Sequence, residues 1–419
     1  MPAALRLRGA ILVAVSLGLA APAAAQQRYA TLFSPALARE PQVRDALTWL
    51  ESTYPDHVRE WIHITEIPAK SEHEQARAAY VKAELEKEGL EVRVDSIGNV
   101  TAVRKGVGGG PSVVFAAHMD TVHPLDTDVT VKQDGKVLRA PGIFDNSASV
   151  ANMLAVVRAL GRAHVRTKGD LVFVATVQEE LGLRGMDWWL EHNPRPGMLV
   201  AMDGGLDGVD YGALGIYWTR YHFTGEGSHT LTSAGKPQPA RALSQAIASI
   251  YDIRIPEGRG GAVYNVGMVG GGKVFNAIPQ DVWFTVDLRS VNPALLDSLD
   301  HEIEARVAKA AADQRVKWSK ELVQRNKAGG TEDQLAGARR NPIVQTAVDI
   351  HEFLGLPARA VATGSTDANV AVTRGIPAIS IGRSKGGNQH TLQEWADSET
   401  ALPASKMVLL LGVSLAGLK

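Results

Sequence analysis

The sequence predicts an α/β protein, a central sheet with helices on both faces, interrupted by an inserted α+β unit of ferredoxin-like order. Two observations carry this. Continuous apolar runs, "SVVFAAHMD", "DLVFVATVQEE" and "GMLVAMDGG", read as strands buried on both sides, and they are interspersed with amphipathic helical stretches such as "SASVANMLAVVRAL". After Gly215 the pattern changes to half-exposed alternation, and the elements run strand, helix, strand, strand, helix, strand.

The first 25 residues stand apart from the fold. Arg6 and Arg8 precede the apolar run "GAILVAVSLGLAAP", which closes on Ala23-Ala24-Ala25, the pattern of an export signal cleaved before Gln26. That run is shorter than the ~20 residues a spanning helix needs, and Pro22 interrupts its end. The expectation is a chain free of the membrane after cleavage, in the periplasm or outside the cell.

From Ala76 to Gly89, "ARAAYVKAELEKEG" has helical spacing and stops at a glycine, and "LEVRVDSIGNVTAV" follows with strand alternation. The three apolar strands and their helices come next. In the insert, "IYWTRYHFTGEG" leads into the helix "PARALSQAIASIYDI"; the strands "AVYNVGMVGGGKV" and "DVWFTVDLRS" precede the helix "ALLDSLDHEIEARVAKAAAD" and a last strand around "VKWSKELVQ". The polar "RNKAGGTEDQ" marks its end, after which "PIVQTAVDIHEFLG", "IPAISIG" and a C-terminal helix return to α/β character. The expected organisation is a leader over 1–25, a first catalytic part over 26–214, the insert over 215–330 and a second catalytic part over 331–419.

Composition narrows the chemistry. The chain has no cysteine, which suits an oxidising compartment and removes disulfides and thiolate metal sites. With 44 basic and 45 acidic residues, a formal charge of -1 and no basic run, nucleic acid is not an expected partner.

Functional groups in α/β sheets collect at the carboxyl ends of strands. The residues placed there are His118 and Asp120, Asp145 in "APGIFDNS", Glu179 and Glu180, Asp203, and His390 in "SKGGNQHTLQEW". Singly, each has an ordinary reading: Asp145 as a helix N-cap, His118 as a satisfied core histidine, Asp203 as a turn residue before Gly204-Gly205. Together they do not, because carboxylates converging on one sheet edge cannot all stay ionised without cations. Two divalent ions resolve the repulsion. Imidazole and carboxylate together suit zinc better than magnesium, with manganese or cobalt as alternatives. Two ions bridged by one carboxylate would each take a histidine and a further carboxylate, and a shared water would need a base that is not itself a ligand. In "QEEL" one glutamate can bind metal while its neighbour faces the water, and adjacency alone does not say which.

The motifs "AAHMDTVHP", "APGIFDNSA", "VQEELGLRGM", "AMDGG", "GSTDANV" and "GGNQHTLQEW", in this order around a ferredoxin-like insert, resemble the M20 metallopeptidases. That family includes peptidase T, carnosinases, aminoacylases, succinyl-diaminopimelate desuccinylase and glutamate carboxypeptidases, and the resemblance spans nearly all of the chain beyond the leader. It implies a zinc exopeptidase-like mixed sheet with the insert as a lid. It makes His118, Glu180 and His390 terminal ligands, Asp145 the bridging carboxylate and Asp203 the completing ligand, with His118 and Asp203 on one ion and Glu180 and His390 on the other. Glu179 would be the general base and Asp120 the carboxylate orienting the His118 ring. The stretch "GEGSHT" resembles the lid motif, so His229 would stabilise the oxyanion, in dimeric members from the neighbouring subunit. By the same resemblance Asn276 and Arg289 would contact substrate, although a turn residue and a surface strand residue are the ordinary readings.

Two departures stand out. Asn146-Ser147-Ala148 follows the bridging aspartate where many members carry a Lys- or Gly-containing stretch, and Gly382-Arg383 stands where "GP" is common. Neither replaces a ligand, so they bear on substrate preference rather than on catalysis. The implied reaction is amide hydrolysis. Aspartate at 203 looks like the aminopeptidase and dipeptidase members, whereas carboxypeptidases and deacylases usually carry glutamate there, and the lid looks closest to peptidase T-like proteins. The expectation is an exported aminopeptidase or dipeptidase acting on short peptides, a homodimer through the lid. An N-acyl amino acid amidohydrolase or a glutamate-type carboxypeptidase is the alternative. A non-catalytic scaffold is disfavoured, since no ligand and no base is missing.

Overall fold

The computed structural model describes residues 28–255 and 261–419, so the export signal expected over 1–25 lies outside the described residues. Before the insert the principal strands are β1 (Glu91–Val94), β2 (Val100–Arg104), β3 (Val113–His118), β4 (Leu171–Thr176), β5 (Met198–Gly204) and β6 (Gly208–Asp210). Within it are β7 (Gly215–Thr224), β8 (Ala262–Gly271), β9 (Asp281–Ser290) and β10 (Lys317–Asn326), and after it β11 (Arg359–Val361) and β12 (Ala378–Gly382). One eight-stranded mixed sheet has the order β1-β2-β4-β3-β5-β12-β6-β11. Its centre is parallel: β3 pairs with β4 and β5, and β12 with β5.

Burial on both faces explains the continuous apolar runs. Along β3, Val113, Phe115 and Ala117 join the core built by helices Pro41–Ser52, Tyr54–Thr65, Ala148–Arg162, Pro342–Phe353 and Ala401–Leu415. Val114 and Ala116 point the other way, to Met186 and Trp189 of helix Arg184–His192 and to Ala368 and Val370 of helix Ala368–Thr373. A strand with no solvent face has no place for alternation. Among the described residues, no helix is long and apolar enough to cross a membrane.

The stretch "LEVRVDSIGNVTAV", read from its alternation as a strand, is a hairpin of β1 and β2. The Asp95 carboxylate turns the chain by accepting from the N–H groups of Ile97, Gly98 and Asn99 at 3.0–3.1 Å, and Gly98 adopts φ 110°, which a side chain would resist.

The insert forms its own antiparallel sheet, β8-β9-β7-β10, and its own core. Tyr221, Phe223 and Phe284 of the sheet pack against Leu296, Leu299 and Ile303 of helix Pro293–Asp313, and Ala242 and Ala246 of helix Pro239–Tyr251 complete that core.

His57, on helix Tyr54–Thr65, is buried in the main core beside Tyr54. Burial, then the nearby Arg158 charge, holds its pKa down to about 4 from 6.5. Between these values the unfolded chain binds a proton that the folded chain refuses, so stability present above pH 6.5 is lost as pH falls towards 4, by about 3 kcal/mol. Urea unfolding of the wild type and of His57→Leu at pH 7 and pH 4.5 measures this: the wild type loses more stability on acidification, and equal losses would contradict it.

Candidate metal centre

Parallel strands bring their carboxyl ends to one edge, and that is where the candidate residues gather. His118 ends β3, Glu179 and Glu180 follow β4 after Val177-Gln178, Asp203 lies at the end of β5, and His390 sits in the loop that leaves β12. The backbone is specialised here. Gln178, next to the glutamate pair, and His390 have φ 53° and 63°, in the left-handed region that non-glycine residues enter rarely.

Asp145 does not cap a helix: the N-cap of helix Ala148–Arg162 is Ser147. It is instead held by a clamp. The Glu394 carboxylate accepts from the N–H groups of Gly142 (2.9 Å), Phe144 (2.9 Å) and Asp145 (2.7 Å), and the Trp61 indole donates to the Ile143 carbonyl. Gly142 is required by its φ of 76° and by crowding, since a Cβ there would lie 2.7 Å from Thr121 Cγ2.

The clamped aspartate divides its oxygens. Oδ1 lies 3.1 Å from His118 Nε2, and the same nitrogen is 3.7 Å from Asp203 Oδ1. Oδ2 lies 3.4 Å from His390 Nε2, which is 3.1 Å from Glu180 Oε1. Ligand atoms ~2.0–2.2 Å from one tetrahedral ion are about 3.3 Å apart, so each set fits one ion. A third overlapping group, His118 with Glu179 and Glu180, is also compact enough for a metal. In the first set His118 is buried and Asp145 and Asp203 are about a tenth exposed, whereas the His390 side chain is 53% exposed at a cleft of about 290 Å³.

Asp120 ties the inner parts together. His118 Nδ1 is 3.1 Å from the Asp120 carbonyl and 3.4 Å from its carboxylate, leaving Nε2 towards the cluster. The same carboxylate accepts from the N–H groups of Glu179 and Glu180 and from the Ser71 hydroxyl. Burial opposes its ionisation, but His118, Ser71 and the Glu179 N–H hold it below the usual carboxylate range.

The remaining carboxylates separate by environment. Burial also opposes the Asp145 anion, yet Arg383, His118 and His390 keep it well below the usual range. Glu179 goes the other way. Burial, with the negative charges of Asp203, Glu180 and Asp367 outweighing the help of His118, pushes it well above the usual value, and its Oε2 lies 4.0 Å from His118 Nε2. Burial likewise raises Glu180, opposed by its bond to His390. Neighbouring carboxyls driven to opposite protonation states mark a candidate acid–base site.

Three residues at the site had no role in the sequence reading. Glu394 supplies the clamp just described. Asp367, within "GSTDANV", accepts from the Thr176 hydroxyl at 2.6 Å and is pushed up to about 7, chiefly by burial. Arg383, noted only as a departure, contacts both Asp203 and Asp145. Of the lid residues, Arg289 lines the cleft with Trp218, Gln324 and Asn326 and is held by the Asp287 carboxylate at 2.9–3.1 Å. His229 and Asn276 do not line it; they face each other at 3.5 Å on the exposed side of the lid.

A mixed sheet carrying a His–carboxylate cluster at its parallel edge, with a separate lid, is the architecture of the exopeptidase-type hydrolases. The chain belongs to peptidase family M20/M25/M40, whose pattern matches residues 114–411, and it is a hydrolase of peptide or amide bonds. It is 28% identical over 345 residues to the [LysW]-lysine hydrolase of Deinococcus radiodurans, covering 79% of this chain and 89% of that one. In fold it is similar to a tripeptidase from Staphylococcus aureus, with a TM-score of 0.74 at 19% identity over 87% of this chain and 98% of that one. It is also similar to the Bacillus subtilis YXEP protein, described as a dinuclear metal binding peptidase of the M20 family, with a TM-score of 0.62 at 17% identity, covering 87% and 98%.

Glu394→Ala would leave three buried N–H groups without an acceptor, at about 1–3 kcal/mol each. Thermal unfolding should therefore drop by on the order of 5 °C or more, with Glu394→Gln recovering part of it. An unchanged melting temperature in Glu394→Ala would mean that the clamp carries no weight.

Proposed function

We propose that the protein is an exported di-metal exopeptidase acting on short peptides as an aminopeptidase or dipeptidase, with zinc as the metal and manganese or cobalt able to replace it. The observation that carries this reading is the division of Asp145 between two His–carboxylate sets, Oδ1 towards His118 and Asp203 and Oδ2 towards His390 and Glu180. When bound, the ions supply Lewis-acid polarisation of the scissile carbonyl and a water of lowered pKa.

The chain's own groups do the rest. Glu179 takes the proton of the attacking water and returns it to the leaving amine, a role suited to a carboxyl whose burial favours holding a proton. Asp120 fixes the His118 ring. Arg289, facing the cleft, offers a cation to a carboxylate of the substrate. The lid supports a homodimer: Leu231, Val274 and Phe275, all well exposed, lie beside His229 and Asn276 in sequence, so a second copy covering them would also bring that pair to a site. The leader motif over 1–25 supports a periplasmic or secreted location.

Aspartate at 203 favours peptides. A second reading, hydrolysis of an acylated amino acid, is favoured by the [LysW]-lysine hydrolase relative. Purified protein loaded with zinc and offered dipeptides, tripeptides and N-acyl amino acids separates the two, and intact free-amino peptides alongside cleaved acyl amino acids would transfer the assignment. Within either reading, Glu179→Ala should keep its metal and lose turnover by at least about 100-fold, while Glu180→Ala should lose metal. Equal metal loss in both variants would place Glu179 among the ligands.

A further inference from the structure

Arg383 directly follows β12 and is 2% exposed. Its guanidinium lies over the Phe144 ring at 4.1 Å, donates through Nη1 to Asp203 Oδ1, and places Nη2 3.3 Å from Asp145 Oδ1. The backbone beneath it is fixed on both sides. Its N–H meets the Gly204 carbonyl at 3.3 Å, its carbonyl accepts from Asn152 Nδ2 at 2.8 Å, and a Cβ on the preceding Gly382 would come within 2.4 Å of Leu206 Cα. A side chain packed in this way cannot swing out to solvent without moving the end of β12.

The two oxygens it contacts are those that face His118 Nε2. The other set shares Asp145 with the first, but Arg383 meets that residue at Oδ1, on the His118 side, and among the described residues Glu180 is paired with His390 and with no arginine or lysine. We propose that Arg383 is a resident cation of the His118–Asp145–Asp203 set, which makes the two halves of the centre unequal. The Asp145–Glu180–His390 set then takes a divalent ion first and tightly, and the His118 set takes the second only against the repulsion of the guanidinium.

The scale of that effect on the nearer ion follows from charge and distance. A divalent ion roughly 4 Å from a fixed single charge is repelled by about 2 kcal/mol even at the dielectric of water, which is about 30-fold in affinity. In a buried set the penalty is larger. The aspartate hydrogen bonds that Arg383 makes do not remove it, since they bring the charge to the ligand oxygens themselves.

The inference rests on the two-ion reading above, and the test keeps the two apart. Stepwise zinc affinities of the wild type and of Arg383→Met, measured by competition with a chromophoric chelator, should show the gap between the two constants shrinking in the variant, by up to about 30-fold. Methionine keeps an apolar contact with Phe144 and removes the charge. An unchanged gap, or a weaker second ion in the variant, overturns the role of Arg383. Stoichiometric binding of no ion or of only one ion by both proteins overturns the two-ion reading instead. If the variant does not fold, crystals of the wild type holding one zinc per chain decide the matter by anomalous scattering. Zinc beside Glu180 and His390 is the expected result, and zinc beside His118 and Asp203, or shared equally, overturns the proposal.

Discussion

Negative charge with little solvent is the constraint on which the rest of this molecule turns. Asp120, Asp145, Glu179, Glu180 and Asp203 stand together at the edge of the sheet, the first and third buried and the others about a tenth exposed at the cleft. Each is compensated differently. Asp120 is surrounded by donors from Ser71 and two backbone N–H groups. Asp145 leans on Arg383 and two imidazoles, and Glu179 is driven towards protonation. A buried carboxylate left without one of these devices would cost several kcal/mol, so the loops that supply donors are as much part of the centre as the side chains facing the cleft.

That constraint also explains the local backbone. Between β4 and the glutamate pair the chain turns at Gln178, in a conformation few side chains adopt. Similarly, Asp145 can offer one oxygen to each histidine because Glu394 fixes the peptide units around it. Precision at the cleft is therefore stored one layer away from it.

The sequence was most informative where chemistry and local pattern coincide. Apolar runs buried on both faces stand out from any window, and ligands placed at their ends, such as His118 and the Glu179–Glu180 pair, are legible by position. The hairpin of β1 and β2 was less so, because Asp95 falls at a polar position of the alternation and only its three backbone contacts reveal a turn. Helices Pro41–Ser52 and Tyr54–Thr65 had no place in the sequence reading; Pro55 looks like a breaker, yet it occupies the first turn, where proline is tolerated. Arg383, Glu394 and Asp367 were hidden for another reason. Their partners Asp203, Asp145 and Thr176 lie 180, 249 and 191 residues away, and no local pattern encodes a contact of that span.

The position of β12 in the sheet has a consequence for how the protein is made. It lies between β5 and β6, although the whole insert separates it from both in sequence. A growing chain that has completed the insert still exposes the unpaired edge of β5, an apolar "LVAM" segment that other strands can join. The same chain holds its anions without Arg383 or His390. Closure of that edge and arrival of these compensating cations both wait for segments that follow the insert in sequence, so the two are a single late event of folding.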